Sequence, residues 1–223
     1  MDTGITGQAQ VRVGRQRNPR GQGERLREEI LDAADALLAA GGDARTLSLR
    51  GVAKRVGIAA TSVYLHFPEV DDLKVAVVER GFAELDAVRD AASRGISDPA
   101  EALLARFRAY ARFALDHPGR YRLMFGPGLP PSLAFDAEQS PARKSFQILV
   151  RSIKQWQEAT ACNPDDDPVR VATMLWAAVH GFVLLRMDRP RFPWPPLDEM
   201  VTETVRRLVG FATGSPPASG AGG

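Results

Sequence analysis

Apolar residues recur every three or four positions along most of this 223-residue chain, and this spacing predicts helices. Leu26, Ile30, Ala33 and Leu37 form the first such stripe, which ends at Gly41. No segment alternates between apolar and polar residues as a half-buried strand would. The pattern therefore predicts an all-α fold with about nine helices.

Capping residues and prolines give the borders of the later helices. Ser48 is a suitable N-cap for a short helix, Asp98-Pro99 and Asp167-Pro168 are typical helix starts, and Pro68 ends a helix before it. After the first helix, the predicted helices span about residues 48–56, 59–67, 71–93, 99–115, 120–125, 141–161, 168–187 and 197–212.

The helix predicted over 168–187 is unusual because residues 171–185 carry no charge, and only Thr173 and His180 among them have polar side chains. A helix that is apolar nearly all round lies in a core or is shared with another chain. His180 then needs a hydrogen-bond partner or a cavity. With the amphipathic last helix, this segment exposes more apolar surface than a monomer tolerates, which predicts a homodimer. The predicted interface includes Val179, Phe182, Val183, Met200, Val201 and Leu208.

The segment from Leu47 to Phe67 has the features of a helix-turn-helix. Ala53 is small where two helices must cross closely, and Gly57 suits the positive φ that the turn requires. With Ile58 and Val63 facing inward, the second helix presents an outward set to a major groove. That set is Ala59, Ala60, Thr61, Ser62, Tyr64 and His66.

This segment resembles the DNA-binding domain of the TetR family of transcriptional repressors. The likeness is carried by Ser48-x-Arg50-x-x-Ala53-x-x-x-Gly57-Ile58, by Ser62-Val63-Tyr64-x-His66-Phe67 and by Asp72-Leu73, within residues 24–75. The resemblance implies an obligate dimer with a four-helix interface, which leaves its DNA operator when a small molecule binds the C-terminal domain. It also implies DNA contacts from Ser48, Arg50, Ala59, Ala60, Thr61, Ser62, Tyr64, His66 and Lys74.

The chain departs from the family pattern at Ala59-Ala60-Thr61, where members often carry Lys, Gly or Pro. Contacts to thymine methyl groups, or readout by the N-terminal segment, would compensate. Near the other end, Trp176-x-x-x-His180-Gly181 resembles the Trp-His-Gly signature of one TetR subgroup.

Four regions follow from these patterns. Residues 1–23 are predicted to be a flexible basic arm, 24–70 the DNA-binding domain, 71–213 the ligand-binding and dimerisation domain, and 214–223 a disordered tail. The arm arginines expected to contact DNA are Arg12, Arg15, Arg17 and Arg20. The predicted effector is a hydrophobic or aromatic small molecule. Its pocket is predicted from Phe107, Tyr110, Phe125, Phe146, Trp156, Met174, Trp176 and His180.

Composition excludes several other classes. The chain is 44% hydrophobic and 25% charged, as ordinary globular proteins are. Its single cysteine, Cys162, allows no internal disulfide, and three histidines in separate elements predict no metal site. No phosphate-binding glycine loop follows a strand and no Gly-x-Ser-x-Gly motif occurs, so we expect neither an enzyme nor a cofactor. No signal peptide and no run of 18 apolar residues occur, which predicts a cytoplasmic protein without a membrane partner.

Three other interpretations remain open at this point. Residues 24–67 are also compatible with three packed helices of an unrelated bundle. The chain is also compatible with an adaptor that binds proteins through its helical domain, although an adaptor would leave the outward set of Thr61, Ser62, Tyr64 and His66 unexplained. The basic arm is equally compatible with a solubilising tail that touches nothing.

Overall fold

The computed structural model describes residues 22–41, 45–127, 129–160 and 165–209. Within them the fold is all-helical, as predicted, with nine α-helices and one short 3₁₀ turn, Pro131–Leu133. The arm arginines, Cys162 and the residues after Val209 lie outside this part of the chain. The helices are α1 (Gln22–Ala39), α2 (Leu49–Val56), α3 (Ala60–Tyr64), α4 (Val70–Ser93), α5 (Pro99–Asp116), α6 (Pro118–Phe125), α7 (Pro141–Thr160), α8 (Pro168–Asp188) and α9 (Leu197–Val209).

The predicted caps form where the sequence places them. Oδ1 of Asp98 accepts a hydrogen bond from Ala100 N at 2.9 Å, and Oδ1 of Asp167 accepts one from Val169 N at 3.0 Å. Helix α3 is shorter than the predicted 59–67, since its regular part ends at Tyr64. A hydrogen-bonded turn continues to Phe67. The helix does not continue further because Pro68 disfavours helical backbone angles at the residue before it, Phe67.

The N-terminal unit consists of α1, α2 and α3, and the remaining helices pack around α5. Helix α5 contacts α4, α6, α7, α8 and α9, which places it at the centre of the C-terminal domain. Its apolar face buries Leu103, Leu104, Phe107 and Phe113. Burial of such side chains is the main favourable term for a helical domain of this kind.

Helix α6 connects the two units because its first turn rests on the end of α1. A Cβ added at Gly119 would lie 2.1 Å from the carbonyl oxygen of Leu38, so only glycine allows this approach. Nearby, Arg120 Nη1 donates to Glu84 of α4 at 2.6 Å and lies 3.5 Å from Asp35 of α1. The N-terminal unit is therefore held against α4 and α6 by both packing and charge.

Candidate nucleic-acid interface and internal cavity

Helices α2 and α3 form a tight helix-turn-helix. The Oγ of Ser48 caps α2 by accepting a hydrogen bond from Gly51 N at 3.2 Å. At its other end Gly57 takes φ 78°, and its N–H donates to the carbonyl oxygen of Ala53 at 2.9 Å. This left-handed residue turns the chain within three positions, so α3 starts at Ala60 at a fixed angle to α2.

The inward face of this motif is closed. Val52, Ala53, Val63 and Phe67 are all buried. The guanidinium of Arg27 on α1 lies over the ring of Phe67, 5.2 Å from its centroid. These contacts fix which side of α3 faces solvent.

The outward face carries the residues that the sequence places there. Ala59, Thr61 and Tyr64 are exposed, and Ala60, Ser62 and His66 are half-buried. Tyr64 leaves 43% of its surface accessible at the end of α3. The side of α3 that faces away from the core therefore carries small or polar side chains and no charged ones.

Three exposed side chains near this face were missed by the sequence reasoning. Lys54 and Arg55 on α2 are exposed, as Arg50 is, and Leu65 after α3 is 86% exposed. The positive charge of the motif thus lies on α2 rather than on α3. The signal that finds Lys54 is its position four residues after Arg50, which places both on one helical face.

Lys74, predicted to contact DNA, is paired inside the chain. Its Nζ donates to Asp71 Oδ1 at 2.8 Å, and its side chain is half-buried. Any phosphate contact from Lys74 must share the ammonium group with this carboxylate.

The start of α1 lies beside the end of the helix-turn-helix. A Cβ added at Gly23 would lie 4.0 Å from Cε1 of His66. The segment before residue 22 therefore joins the described chain next to the outward set of α3.

A second feature is an internal cavity of about 220 Å³ in the C-terminal domain. Helices α4 to α8 all contribute to its wall, together with the segment 129–135. Most of the lining is apolar, and aromatic rings are prominent in it. Those rings are Phe82, Phe107, Tyr110, Phe125, Phe135, Phe146 and Trp176.

The structure brings five of the eight predicted pocket residues to this cavity: Phe107, Tyr110, Phe125, Phe146 and Trp176. The other three predicted pocket residues do not line the cavity. Trp156 is buried on α7 away from the cavity, and Met174 lies on the outer side of α8 with 48% of its surface exposed. His180 stands behind the cavity wall.

His180 has hydrogen-bond partners, as its apolar surroundings require. The hydroxyls of Tyr121 and Tyr110 lie 2.5 Å and 3.0 Å from its Nδ1, and 2.5 Å from each other. Trp176 Nε1 donates to the Tyr110 hydroxyl at 3.2 Å. Burial lowers the pKa of His180, so the neutral ring accepts from a tyrosine, and burial raises the pKa of Tyr110 to about 12. The network connects the cavity wall to α8.

One end of the cavity is polar. Arg89, Arg106 and Ser145 are among its lining residues. Nη1 of Arg89 donates to Ser145 Oγ at 3.0 Å and to Asp86 Oδ1 at 3.2 Å, and Ser145 Oγ donates to Asp86 Oδ1 at 2.8 Å. No sequence pattern singles out these residues.

The third feature is an apolar stripe on α8 that nothing in the described part of the chain covers. Met174, Ala177 and Leu185 are exposed, and Gly181 between them is half-buried. By length and composition alone, α8 is the one helix in the described ranges that would suffice to cross a membrane. Its other side packs on α5, α7 and α9, as a core helix does.

The exposed stripe differs from the interface predicted from the sequence. Val179, Val183 and Val201 are buried inside the single chain and therefore have no surface to offer a partner. The other three predicted interface residues, Phe182, Met200 and Leu208, are half-buried. The periodicity did not distinguish the two sides of α8 because both are apolar.

No group of three His, Cys, Asp or Glu side chains in the described part of the chain is arranged to hold a metal ion. The arrangement thus offers an outward polar helix, an apolar cavity with a cationic end, and an exposed apolar stripe.

Two family models match the chain. The one described as bacterial regulatory proteins, tetR family, matches residues 30–77. The one described as Tetracyclin repressor-like, C-terminal domain, matches residues 103–209, so together they cover more than half of the chain. The likeness of residues 176–181 to the Trp-His-Gly subgroup stays a prediction.

Solved structures share the fold. A protein of unknown function from Rhodococcus sp. RHA1 is 26% identical with a TM-score of 0.71, and the match covers 91% of this chain and 98% of that one. The TetR family transcriptional regulator PfmR from Thermus thermophilus is 17% identical with a TM-score of 0.63, and the match covers 81% of this chain and 97% of that one. SmeT is described as the repressor of the Stenotrophomonas maltophilia multidrug efflux pump SmeDEF. Its complex with triclosan is 18% identical with a TM-score of 0.61, and the match covers 83% of this chain and 90% of that one.

Proposed function

The chain belongs to the TetR family of bacterial transcriptional regulators, and we propose that it is a dimeric repressor that a small apolar ligand releases from DNA. Members of this family bind DNA and are not enzymes, so DNA binding is the general function of the chain. The repressor role, the dimer and the ligand response are the specific parts of the proposal.

The observation that carries the proposal is the outward face of α3. A short helix held by Gly57 and Val63, with Thr61, Ser62 and Tyr64 facing away from the core, suits insertion into a major groove. Hydroxyl groups donate to phosphates or base edges, and the methyl groups of Ala59 and Ala60 suit contact with thymine. In a dimer, two such helices would stand about 34–36 Å apart to reach successive grooves.

Positive charge for the phosphate backbone comes from neighbouring segments. Arg50, Lys54 and Arg55 are exposed on α2, while α3 has no basic residue. The start of α1 beside His66 supports a role for the arm arginines in the adjacent minor groove.

The apolar stripe of α8 supports dimerisation through a second copy of the chain. Gly181 lies mid-helix with nothing within 4 Å of an added Cβ, so no contact inside the described chain requires glycine there. Glycine in a helix costs about 1 kcal/mol relative to alanine, and close approach of a partner helix would explain it. We place the interface on Met174, Ala177, Gly181 and Leu185, with Met200 and Leu208 of α9 beside them.

A charge at the C-terminal end of this stripe, at Leu185, is expected to separate the dimer. Leu185 is 56% exposed, so Leu185→Arg should fold but leave two desolvated cations facing each other in the dimer. Sedimentation at micromolar concentration should show twice the 24.2 kDa chain mass for the unmodified protein and a single chain for the variant.

The matched control for this experiment is Val169→Arg on the same helix. Val169 is also exposed, but it precedes Leu185 by 16 residues, which is roughly 160° around a helix with 3.6 residues per turn. This variant should remain dimeric. An unmodified protein that sediments as one chain would exclude the proposed dimer.

Ligand response has a physical route through α6. Met124 and Phe125 at its end line the cavity, while Gly119 and Arg120 at its start rest against α1 and Asp35. A ligand that moves the end of α6 therefore also moves α1 and the helix-turn-helix. Such a ligand would favour a dimer whose α3 helices no longer match the groove spacing.

The cavity supports a small, largely apolar effector. Aromatic rings dominate its wall, and few polar groups converge on it, as in most small-molecule sites. SmeT, whose fold is similar, is known in complex with triclosan, which supports a small-molecule ligand for this chain as well.

The test of the function starts with the purified full chain and a pool of random duplex DNA. Selection should enrich a site with two-fold symmetry and half-sites about one helical turn apart. A compound screen on the selected site should then find molecules that release the protein. Recovery of unrelated sequences only would contradict sequence-specific regulation.

Tyr64 provides a sharper test of where DNA binds. Tyr64→Ala should weaken binding to the selected site by about 1–2 kcal/mol, through loss of a phosphate hydrogen bond and of ring contact. Fluorescence anisotropy should show non-specific DNA weakened to a similar extent. Tyr64→Phe, which keeps the ring, should retain part of the affinity. Unchanged binding by a folded Tyr64→Ala protein would mean that α3 does not face DNA.

A further inference from the structure

The cavity has one cationic end, and its chemistry restricts the ligand beyond being apolar. Arg89, Arg106 and Ser145 line the cavity, whereas the carboxylates that pair with the two arginines, Asp86 and Asp90, do not. We propose that the effector is a compact aromatic organic acid whose carboxylate binds Arg89 and Arg106. This inference rests on the proposed function insofar as the cavity is the effector site.

Both guanidinium groups have hydrogen-bond donors to spare. Each carries five N–H donors. In the described part of the chain only Nη1 of Arg89 is hydrogen-bonded, to Asp86 and Ser145, which leaves its Nε and Nη2 without a partner. Nε of Arg106 is buried and also unpartnered there, while its Nη1 donates to Ser93 Oγ at 3.0 Å. A carboxylate accepts two or more such bonds in a planar arrangement that matches a guanidinium.

The charges around this end are incompletely balanced. Nη1 of Arg106 lies 2.7 Å from Asp90, but that carboxylate is 59% exposed, so water screens its charge. Burial raises the pKa of Asp86, so keeping its carboxylate ionised costs free energy. Burial also lowers the pKa of Arg89. An anion entering from the cavity would stabilise both cations where the chain's own carboxylates do so weakly.

The rest of the wall determines the body of the ligand. Phe107, Phe125, Phe146 and Trp176 surround the space next to the arginines. The volume of about 220 Å³ is below the roughly 300–1,000 Å³ of most ligand pockets. A compact ring system fits these limits better than a long chain or a highly polar molecule. A cationic ligand would face two positive charges, and a neutral one would leave the donors unpaired.

The test compares acids with amides of the same shape on the unmodified full chain. Phenylacetate and 2-naphthylacetate would be titrated against phenylacetamide and 2-naphthylacetamide by calorimetry, without DNA. At least one acid should bind about tenfold or more tightly than its amide, since charge-assisted hydrogen bonds are about twice as strong as neutral ones. Equal binding of acid and amide, or no binding of either acid at millimolar concentration, would overturn the proposal.

A pair of arginine variants on α5 assigns the effect to the cavity. Arg106→Met should reduce the preference for the acid to within about twofold. Arg108→Met is the matched control, because Arg108 lies outside the cavity lining and its Nη2 donates to Thr202 Oγ1 at 2.8 Å. The control should keep the full preference. A preference that survives Arg106→Met in a folded protein would contradict the assignment.

The acid titrations also separate this inference from the proposed function. Because they contain no DNA, their failure leaves operator binding untouched. Conversely, a chain that binds the acid but selects no DNA site would contradict the repressor proposal alone.

Discussion

Gly119→Ala is expected to lower the free energy of unfolding by about 3 kcal/mol, and the melting temperature by about 6–12 °C. The added Cβ would lie 2.1 Å from the carbonyl oxygen of Leu38 and 2.5 Å from its carbonyl carbon. Both atoms belong to backbone, so no flexible side chain can move aside. Helix α6 would have to withdraw from the end of α1, which also strains the ion pairs of Arg120 with Asp35 and Glu84.

Gly23→Ala is the matched control for this experiment. It introduces the same methyl group into a helix, but the nearest atom to the new Cβ is 4.0 Å away on His66. Calorimetry should show little change or a small gain for this variant, because alanine favours helix over glycine. Equal melting temperatures for Gly119→Ala and Gly23→Ala would mean that α6 does not press on α1.

Helix borders were readable from the sequence because local chemistry sets them. The caps at Ser48, Asp98 and Asp167, and the left-handed turn at Gly57, depend on residues within a few positions of each other. The outward set of α3 was readable for a similar reason, since Val63 alone decides which side of so short a helix is buried.

The buried and exposed faces of the uncharged helix α8 could not be predicted from the sequence. Its apolar pattern gives no preferred side, so the sequence alone did not show that Val179 and Val183 face the core and Leu185 faces out. Met174 was assigned to the pocket for the same reason. Only the packing of α8 against α5, α7 and α9 distinguishes its faces.

The cationic end of the cavity and the contact between α6 and α1 depend on tertiary structure. Arg89, Arg106 and Ser145 come from α4, α5 and α7, and nothing local to any of them indicates the others. Gly119 follows a proline and is an ordinary helix-start residue by its neighbours. Its close approach to Leu38 involves a residue 81 positions earlier.

Deletion of residues 1–20 is expected to flatten the salt dependence of operator binding by up to about 3.6 in the slope of log K against log salt. The reason is the loss of Arg12, Arg15, Arg17 and Arg20, each worth about 0.9 if it neutralises one phosphate. Between about 50 and 200 mM salt, the full chain would lose roughly 100-fold more affinity than the truncated one. Since α3 carries no basic residue, such contacts have to come from the three basic residues of α2 or from the four arginines of the arm.

Two full-length variants separate charge from shape in this arm. With all four arginines replaced by glutamine, the slope should fall as in the deletion, because both remove the same four charges. With all four replaced by lysine, the slope should stay near that of the unmodified chain, while preference for A·T-rich flanking sequence weakens, since a narrow minor groove favours arginine. Affinity measured at four or more salt concentrations gives each slope. A deletion whose slope equals that of the full chain within error would show that the arm makes no phosphate contacts.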